Sequence, residues 1–182
     1  VPQERLKVME DGDILNIAGR RLAVHYTPGP AVHHVIFFDA HSGELFAGDV
    51  AGVRLQGIDY VRPPTPPPDL DIEAWSSSID KIKKLRPDVL YLAHFGPTKN
   101  ITSHIEHLRE KLYACGDFVL VAMRDGKNEA EITEMIIKQT QPELQRATSD
   151  AHAIARYEIA TNYGMTVQGY MRYWRKKHPE QL

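Results

Sequence analysis

An aspartate and a histidine stand where two strand-like segments of this chain end. Asp49 follows the strand-like run from Glu44 to Gly48, and His94 ends the run "DVLYLAH". Ligands of open α/β sheets collect beyond the carboxyl ends of strands, because the loops converge there. Carboxylate oxygen and imidazole nitrogen both offer lone pairs that suit zinc or iron. The two residues are therefore candidate metal ligands, although an aspartate after glycine is also an ordinary turn residue.

Each of the other polar residues near these positions has both a functional and a structural interpretation. His33 and His34 stand side by side after the turn "TPG", where they either approach a metal or only pack. Arg54 and Tyr60 follow Asp49 closely. One interpretation is that they hold a substrate anion or carbonyl, and the alternative is that they are an ordinary loop arginine and a packing tyrosine.

The later histidines and the cysteine are weaker candidates for a catalytic or metal-binding role. His104 and His107 lie beside the apolar stripe of their helix, which predicts a solvated flank rather than a ligand pair. Cys115 lies on that stripe, which favours a buried core position over a nucleophile. The basic end, Arg172 to Lys177, is read as a solvated helix end.

The segments that must position the candidate ligands are rich in strands. Ile14 to Ile17 and Arg21 to Tyr26 flank "AGR", and Val35 to Asp39 and Glu44 to Gly48 flank "AHSG", so the pattern predicts two hairpins. Asp71 caps a predicted helix with apolar residues at helical spacing, and the strand that ends at His94 follows. A strand, a helix and a strand in this order form a crossover unit, which predicts a parallel strand pair.

A proline-rich segment and a helical region complete the chain. Five prolines lie between Arg62 and Asp69, which predicts an extended surface loop, either a stiff connector or a substrate lid. Beyond Ile101 the pattern is helical: Asn128 and Glu131 form a capping box. Pro142 is expected to start a helix that ends near Tyr163, and Thr166 to cap a last one.

Composition narrows the classes of function. The net charge of −2 gives no overall attraction to nucleic acid or to an anionic membrane, and no apolar run is long enough to span a bilayer. The single cysteine rules out an internal disulfide. We therefore expect a cytoplasmic protein with neither nucleic-acid nor membrane partners.

Three motifs in a fixed order resemble a known family. "TPG", "LFAGD" and "LAHFGP" resemble the carboxyl half of the metallo-β-lactamase superfamily, over roughly residues 12–112. The resemblance implies an α/β fold, the second half of an αββα sandwich, followed here by carboxyl-terminal helices. It also implies a site for one or two divalent ions, zinc or iron. Asp49 matches the acid that bridges two metals, and His94 matches the last histidine ligand.

Two departures from the family pattern stand out. The histidine that follows T-P-G in the family is Pro30 here, and proline has no lone pair for a metal, unless His33 or His34 replaces it. The family's H-x-H-x-D-H motif is absent from the nine histidines of this sequence. The chain thus resembles half of a two-part fold. It is expected to pair with an amino-terminal half, with another chain or with a copy of itself.

The sequence predicts two alternative functions. The first is a metal-dependent hydrolase of a small-molecule substrate, incomplete as given, in which a metal-activated water attacks. The alternative is a binding or assembly module that keeps the fold without catalysis. In either case residues 1–113 would form the sandwich half and residues 114–182 a helical region.

Overall fold

The described part of the protein contains a six-stranded sheet whose strand order follows the chain. A computed structural model describes residues 2–94 and 96–182. The strands are β1 (Ile14–Ile17), β2 (Arg20–Tyr26), β3 (Val35–Asp39), β4 (Glu44–Gly48), β5 (Val89–Leu92) and β6 (Gly96–Thr98). Neighbouring strands are antiparallel except β4 and β5, which run parallel. Both predicted hairpins and the parallel crossover pair are confirmed.

Within the described residues, five helices follow or connect the strands, and they form a buried core with one face of the sheet. They are α1 (Ile72–Leu85), α2 (Ile101–Arg124), α3 (Glu129–Ala147), α4 (Ala151–Ala160) and α5 (Tyr163–Lys177). Leu45 and Leu90 are register partners on β4 and β5, and both share a core with Trp75 of α1 and Leu108 of α2. Burial of such side chains is the main favourable contribution to folding.

The opposite face of the sheet has a different character. Phe37, Phe46 and Tyr91 are register partners across β3, β4 and β5, and they lie outside the buried core clusters of the described residues. The rings of Phe46 and Tyr91 stack with centroids 5.2 Å apart, and each side chain is only half-buried. A sheet with helices on one face and an aromatic surface on the other agrees with the predicted half of a sandwich.

The prediction of a surface loop is wrong for the first part of the proline-rich segment, although Pro68 is exposed. Pro63, Pro64 and Thr65 are buried. The segment lies against α5 at Gly169, where an added Cβ would stand 1.9 Å from the Thr65 carbonyl oxygen. The absence of a side chain at that glycine lets the backbone of the segment approach the helix.

Two predicted helix boundaries are also wrong. Pro142 lies inside α3, where the buried residues Ile136 and Leu144 on either side of it hold the helix together despite the missing hydrogen bond. The helix ends at Ala147, and α4 and α5 follow separately. Asn162, rather than Thr166, caps α5: its side chain accepts a hydrogen bond from the Met165 amide at 3.0 Å.

The predicted division of the chain falls within a helix of the structure. The division into residues 1–113 and 114–182 stays a prediction, and its boundary falls within α2. Within residues 2–94 and 96–182, none of the helices combines the length and the apolar character that crossing a membrane requires.

Candidate metal centre

The two candidate ligands meet at one edge of the sheet. Gly48 and Leu92 are register partners at the ends of the parallel strands β4 and β5. Asp49 opens a 3₁₀ turn directly after β4, and His94 lies in the turn after β5. Parallel strands bring their carboxyl ends to the same edge. The imidazole Nε2 of His94 consequently lies 3.0 Å from Oδ1 of Asp49.

The atoms of this pair suit a metal ion. Oδ1 of Asp49 is shielded from solvent, and the contact with His94 Nε2 is an ion-pair contact without hydrogen-bond geometry. Two ligands about 2.1 Å from a tetrahedral zinc ion lie roughly 3.4 Å apart. The observed 3.0 Å separation of Oδ1 from His94 Nε2 is therefore close to the spacing of adjacent ligands.

His34 holds the backbone of Asp49 in place. The Asp49 amide donates a hydrogen bond to His34 Nε2 at 3.1 Å, so that nitrogen carries no hydrogen. Nδ1 must then carry it and donates to Thr27 Oγ1 at 2.9 Å. Burial lowers the pKa of His34, which favours this neutral form. Both ring nitrogens are occupied, so His34 contacts Asp49 without a lone pair left for a metal.

A glycine is required where the His34 ring meets β4. Gly48 has a φ of +55°, and a Cβ at that position would stand 2.6 Å from His34 Nε2. A side chain at residue 48 would therefore displace the imidazole as well as strain the backbone. The glycine of "LFAGD" thus serves the contact between His34 and Asp49.

The position that the family gives to another ligand holds a buried proline. Pro30 is buried, and the neighbouring His33 is exposed to solvent. Among the described residues, no three histidine, cysteine, aspartate or glutamate side chains are grouped so that they could hold a metal ion. The chain therefore brings together the two candidate ligands, Asp49 and His94.

The weaker candidates lie beside this pair. Arg54 donates hydrogen bonds to the Ile58 carbonyl and to Thr98 Oγ1, both at 3.1 Å, and ion-pairs with Asp59 at 3.4 Å. Tyr60 is buried. Both Arg54 and Tyr60 line one cavity of about 380 Å³.

His104 is not on a solvated flank, and that prediction is wrong. It is 3% exposed, and its Nε2 lies 2.8 Å from the Ala51 carbonyl oxygen, to which it donates. Burial lowers the pKa of His104. The spacing held a signal: His104 is four residues before the buried Leu108, one helical turn away. His107, by contrast, is exposed as predicted.

Cys115 has the character of a core residue. It packs partly buried against the main core, and burial raises the pKa of its thiol to about 12. A thiol that stays protonated is a poor nucleophile and a poor metal ligand.

Comparison with known proteins decides the family. The family model of the metallo-beta-lactamase superfamily matches residues 1–94, just over half of the chain. This chain belongs to the metallo-β-lactamase superfamily. The predicted membership is confirmed, and the α/β fold agrees with it.

Relatives of known structure span more than this chain does. The metallo-beta-lactamase fold-containing protein ST1585 of Sulfurisphaera tokodaii is 30% identical over 112 residues, which are 60% of this chain and 41% of that protein. The metallo-beta-lactamase family protein TTHA1429 of Thermus thermophilus superposes with a TM-score of 0.62 at 24% identity, over 93% of this chain and 48% of that one. The sec-alkylsulfatase Pisa1 of Pseudomonas shares the fold, with a TM-score of 0.54 at 15% identity, over 95% of this chain and 27% of that one. The chain thus spans less than half the length of each of these relatives.

Proposed function

We propose that this chain is the carboxyl half of a metal-dependent hydrolase of the metallo-β-lactamase fold. The observation that carries the proposal is the 3.0 Å approach of His94 Nε2 to Asp49 Oδ1 at the carboxyl ends of two parallel strands. The fold of this superfamily generally binds divalent metals. Asp49 and His94 are the ligands that this chain would contribute to one or two zinc or iron ions.

The rest of the site must come from elsewhere. Two protein ligands do not make a tight four-coordinate zinc site. An amino-terminal half, another chain or a second copy would supply the others, and the aromatic surface of Phe37, Phe46 and Tyr91 supports a partner on that face of the sheet. When bound, a divalent ion lowers the pKa of a bound water towards ~7, which gives a nucleophile for hydrolysis of a small-molecule substrate.

The chain's own residues would orient the carboxylate. The His34 ring is held by Thr27 and accepts a hydrogen bond from the Asp49 amide. These contacts fix the backbone of Asp49 where the chain leaves β4. A ligand whose backbone is held in this way needs little rearrangement to bind an ion. His34 is therefore proposed as a positioning residue, and Asp49 and His94 as the ligands.

A second candidate is a binding or assembly module without catalysis. Pro30 favours it, because a buried proline at a position that the family gives to histidine offers no lone pair. Such a module would keep the sheet and its aromatic surface without holding metal.

Metal content distinguishes the two proposals. The protein, together with its amino-terminal half or other partner, is purified without chelators and measured by elemental mass spectrometry. A hydrolase should carry about one or two ions per site. Asp49→Ala or His94→Ala should remove them, and His33→Ala, which changes an exposed histidine, should not. If the protein is free of metal at every stage of purification, the hydrolase proposal is wrong and the binding or assembly module is supported.

The missing ligand can also be restored. Pro30→His should increase metal affinity by about 100-fold or more, because even a group that only hydrogen-bonds a ligand changes affinity 10–100-fold. If Pro30→His leaves metal affinity unchanged, residue 30 does not face the ion, and the position assigned to it by the resemblance is wrong.

A further inference from the structure

The turn that carries Asp49 is too short to satisfy its own backbone. It is a 3₁₀ turn over Asp49–Ala51, and the Gly52 amide closes it by donating to the Asp49 carbonyl at 2.9 Å. Val50 and Ala51 are fully buried. Buried carbonyl groups need hydrogen-bond donors, so these two residues depend on donors from other parts of the protein.

Two buried side chains supply those donors. The indole Nε1 of Trp75, in α1, donates to the Val50 carbonyl at 2.8 Å. The imidazole Nε2 of His104, in α2, donates to the Ala51 carbonyl at 2.8 Å. Trp75 is fully buried and His104 nearly so, and a hydrogen bond shielded from water in this way is stronger than an exposed one.

Together with His34, these side chains hold three consecutive residues of the turn. His34 accepts from the Asp49 amide, and Trp75 and His104 donate to the next two carbonyls. The three side chains come from three separate places in the chain: the segment before β3, α1 and α2. Side chains adopt a few discrete rotamers relative to their backbone. A backbone fixed over residues 49–51 therefore leaves the Asp49 carboxylate few positions.

Helix α1 also holds the neighbouring loop "TPG". Ser78 Oγ donates to the Pro28 carbonyl at 2.7 Å. Gly29 lies directly on the Trp75 side chain, because a Cβ at that glycine would stand 2.4 Å from Trp75 Cβ. Trp75 thus contacts both this loop and the turn that carries Asp49.

A bond of the same kind elsewhere in the protein provides a comparison. The indole Nε1 of Trp174, in α5, donates to the Gly116 carbonyl of α2 at 2.9 Å. Trp174 is buried as well. Its hydrogen bond joins two helices rather than a helix and the Asp49 turn, so it reports what such a bond contributes to stability alone.

We propose that Trp75 and His104 are positioning residues of the metal site, which hold the turn so that the Asp49 carboxylate is already placed for the ion. This inference rests on the proposed function, because it takes Asp49 as a metal ligand. Each side chain acts through a backbone carbonyl rather than by contact with the ion. Groups that orient a ligand in this way change metal affinity about 10–100-fold.

Zinc affinity is measured by competition with a chromophoric chelator, on the protein with its amino-terminal half or partner. Trp75→Phe and His104→Leu remove the donors, whereas His104→Gln keeps a side-chain N–H. Zinc binding should weaken about 10–100-fold in Trp75→Phe and His104→Leu, and His104→Gln should regain most of the lost affinity. Trp174→Phe removes the comparison bond and should bind zinc like the wild type, even where its urea midpoint falls.

Amide hydrogen exchange on metal-free protein tests the turn itself. The Gly52 amide closes the turn, and the Val24 amide, which donates to the Asp13 carbonyl at 2.8 Å, is an internal reference in β2. Relative to Val24, Gly52 should exchange about tenfold faster in Trp75→Phe and His104→Leu, because the turn opens more easily without a buried hydrogen bond. Trp174→Phe should keep the wild-type ratio of the two rates.

The possible outcomes separate this inference from the proposed function. It is overturned if Trp75→Phe and His104→Leu keep wild-type zinc affinity, or if Trp174→Phe weakens zinc binding equally. It is also overturned if His104→Gln binds zinc no better than His104→Leu, or if the exchange ratio stays unchanged in the variants that lose the donors. A wild type that binds no zinc, with exchange ratios as expected, would contradict the proposed function and still support the role of both side chains in holding the turn.

Discussion

The contact between His34 and Asp49 gives the sharpest prediction on stability. His34→Ala removes the acceptor of the Asp49 amide and the partner of the Thr27 hydroxyl. Thr27 is fully buried, so its hydroxyl loses a partner where water does not replace it. A buried polar group left unsatisfied costs about 1–3 kcal/mol, and a typical hydrogen bond contributes about 1 kcal/mol. We therefore expect the free energy of unfolding to fall by about 2–4 kcal/mol.

The adjacent histidine is a matched control. His33 is exposed, and a surface substitution such as His33→Ala should change the free energy of unfolding by no more than about 0.5 kcal/mol. Urea denaturation followed by circular dichroism measures both variants. Metal affinity should fall about 10–100-fold in His34→Ala, because the Asp49 backbone is no longer held. Equal losses of stability in the two variants would refute this role for His34.

Two further predictions concern the helical side and the response to acid. Gly169→Ala should lower the free energy of unfolding, since the new Cβ would meet the Thr65 carbonyl oxygen at 1.9 Å; Gly164→Ala in the same helix, with 3.3 Å to its nearest atom, is the control. Urea midpoints should separate the two, and equal midpoints would contradict close packing of the proline-rich segment on α5. Burial lowers the pKa of His104 below the ~6.5 of an unfolded histidine, so the unfolded state takes up the proton first. Stability should fall as the pH drops below ~6.5, at most by about 1.4 kcal/mol per pH unit for this group, and His104→Gln should flatten that slope. An unchanged slope in urea titrations at pH 7.5, 6.5 and 5.5 (roughly one unit either side of the histidine pKa) would contradict the burial of a neutral His104.

Local signals were sufficient to predict β1 to β5 and the crossover, whereas the short strand β6 was not predicted. Turn residues between short apolar runs predict the two hairpins, and both have the expected partners. Asp71 caps α1 and the capping box at Asn128 opens α3, because these hydrogen bonds are made within a few residues of the chain. The meeting of Asp49 and His94 follows from the parallel strand pair, which the strand–helix–strand order also predicts.

Features that depend on distant packing could not be read in this way. The burial of the proline-rich segment depends on Gly169, about a hundred residues later in the chain. Pro142 stays in a helix because buried neighbours outweigh its local preference. The adjacent histidines were alike in sequence, and only their tertiary contacts distinguish exposed His33 from His34, which binds Thr27 and the Asp49 amide. The cavity beside Tyr60 is likewise a product of three separate segments.

The most direct test of the proposed site is the zinc affinity of conservative ligand variants. Asp49→Asn and His94→Gln keep much of the shape of the side chains, so their folds should resemble the wild type by circular dichroism. Competition with a chromophoric chelator, on the protein with its amino-terminal half or partner, should show zinc binding weakened more than about 100-fold in each variant. Wild-type affinity in both variants, with the fold intact, would contradict the assignment of Asp49 and His94 as metal ligands.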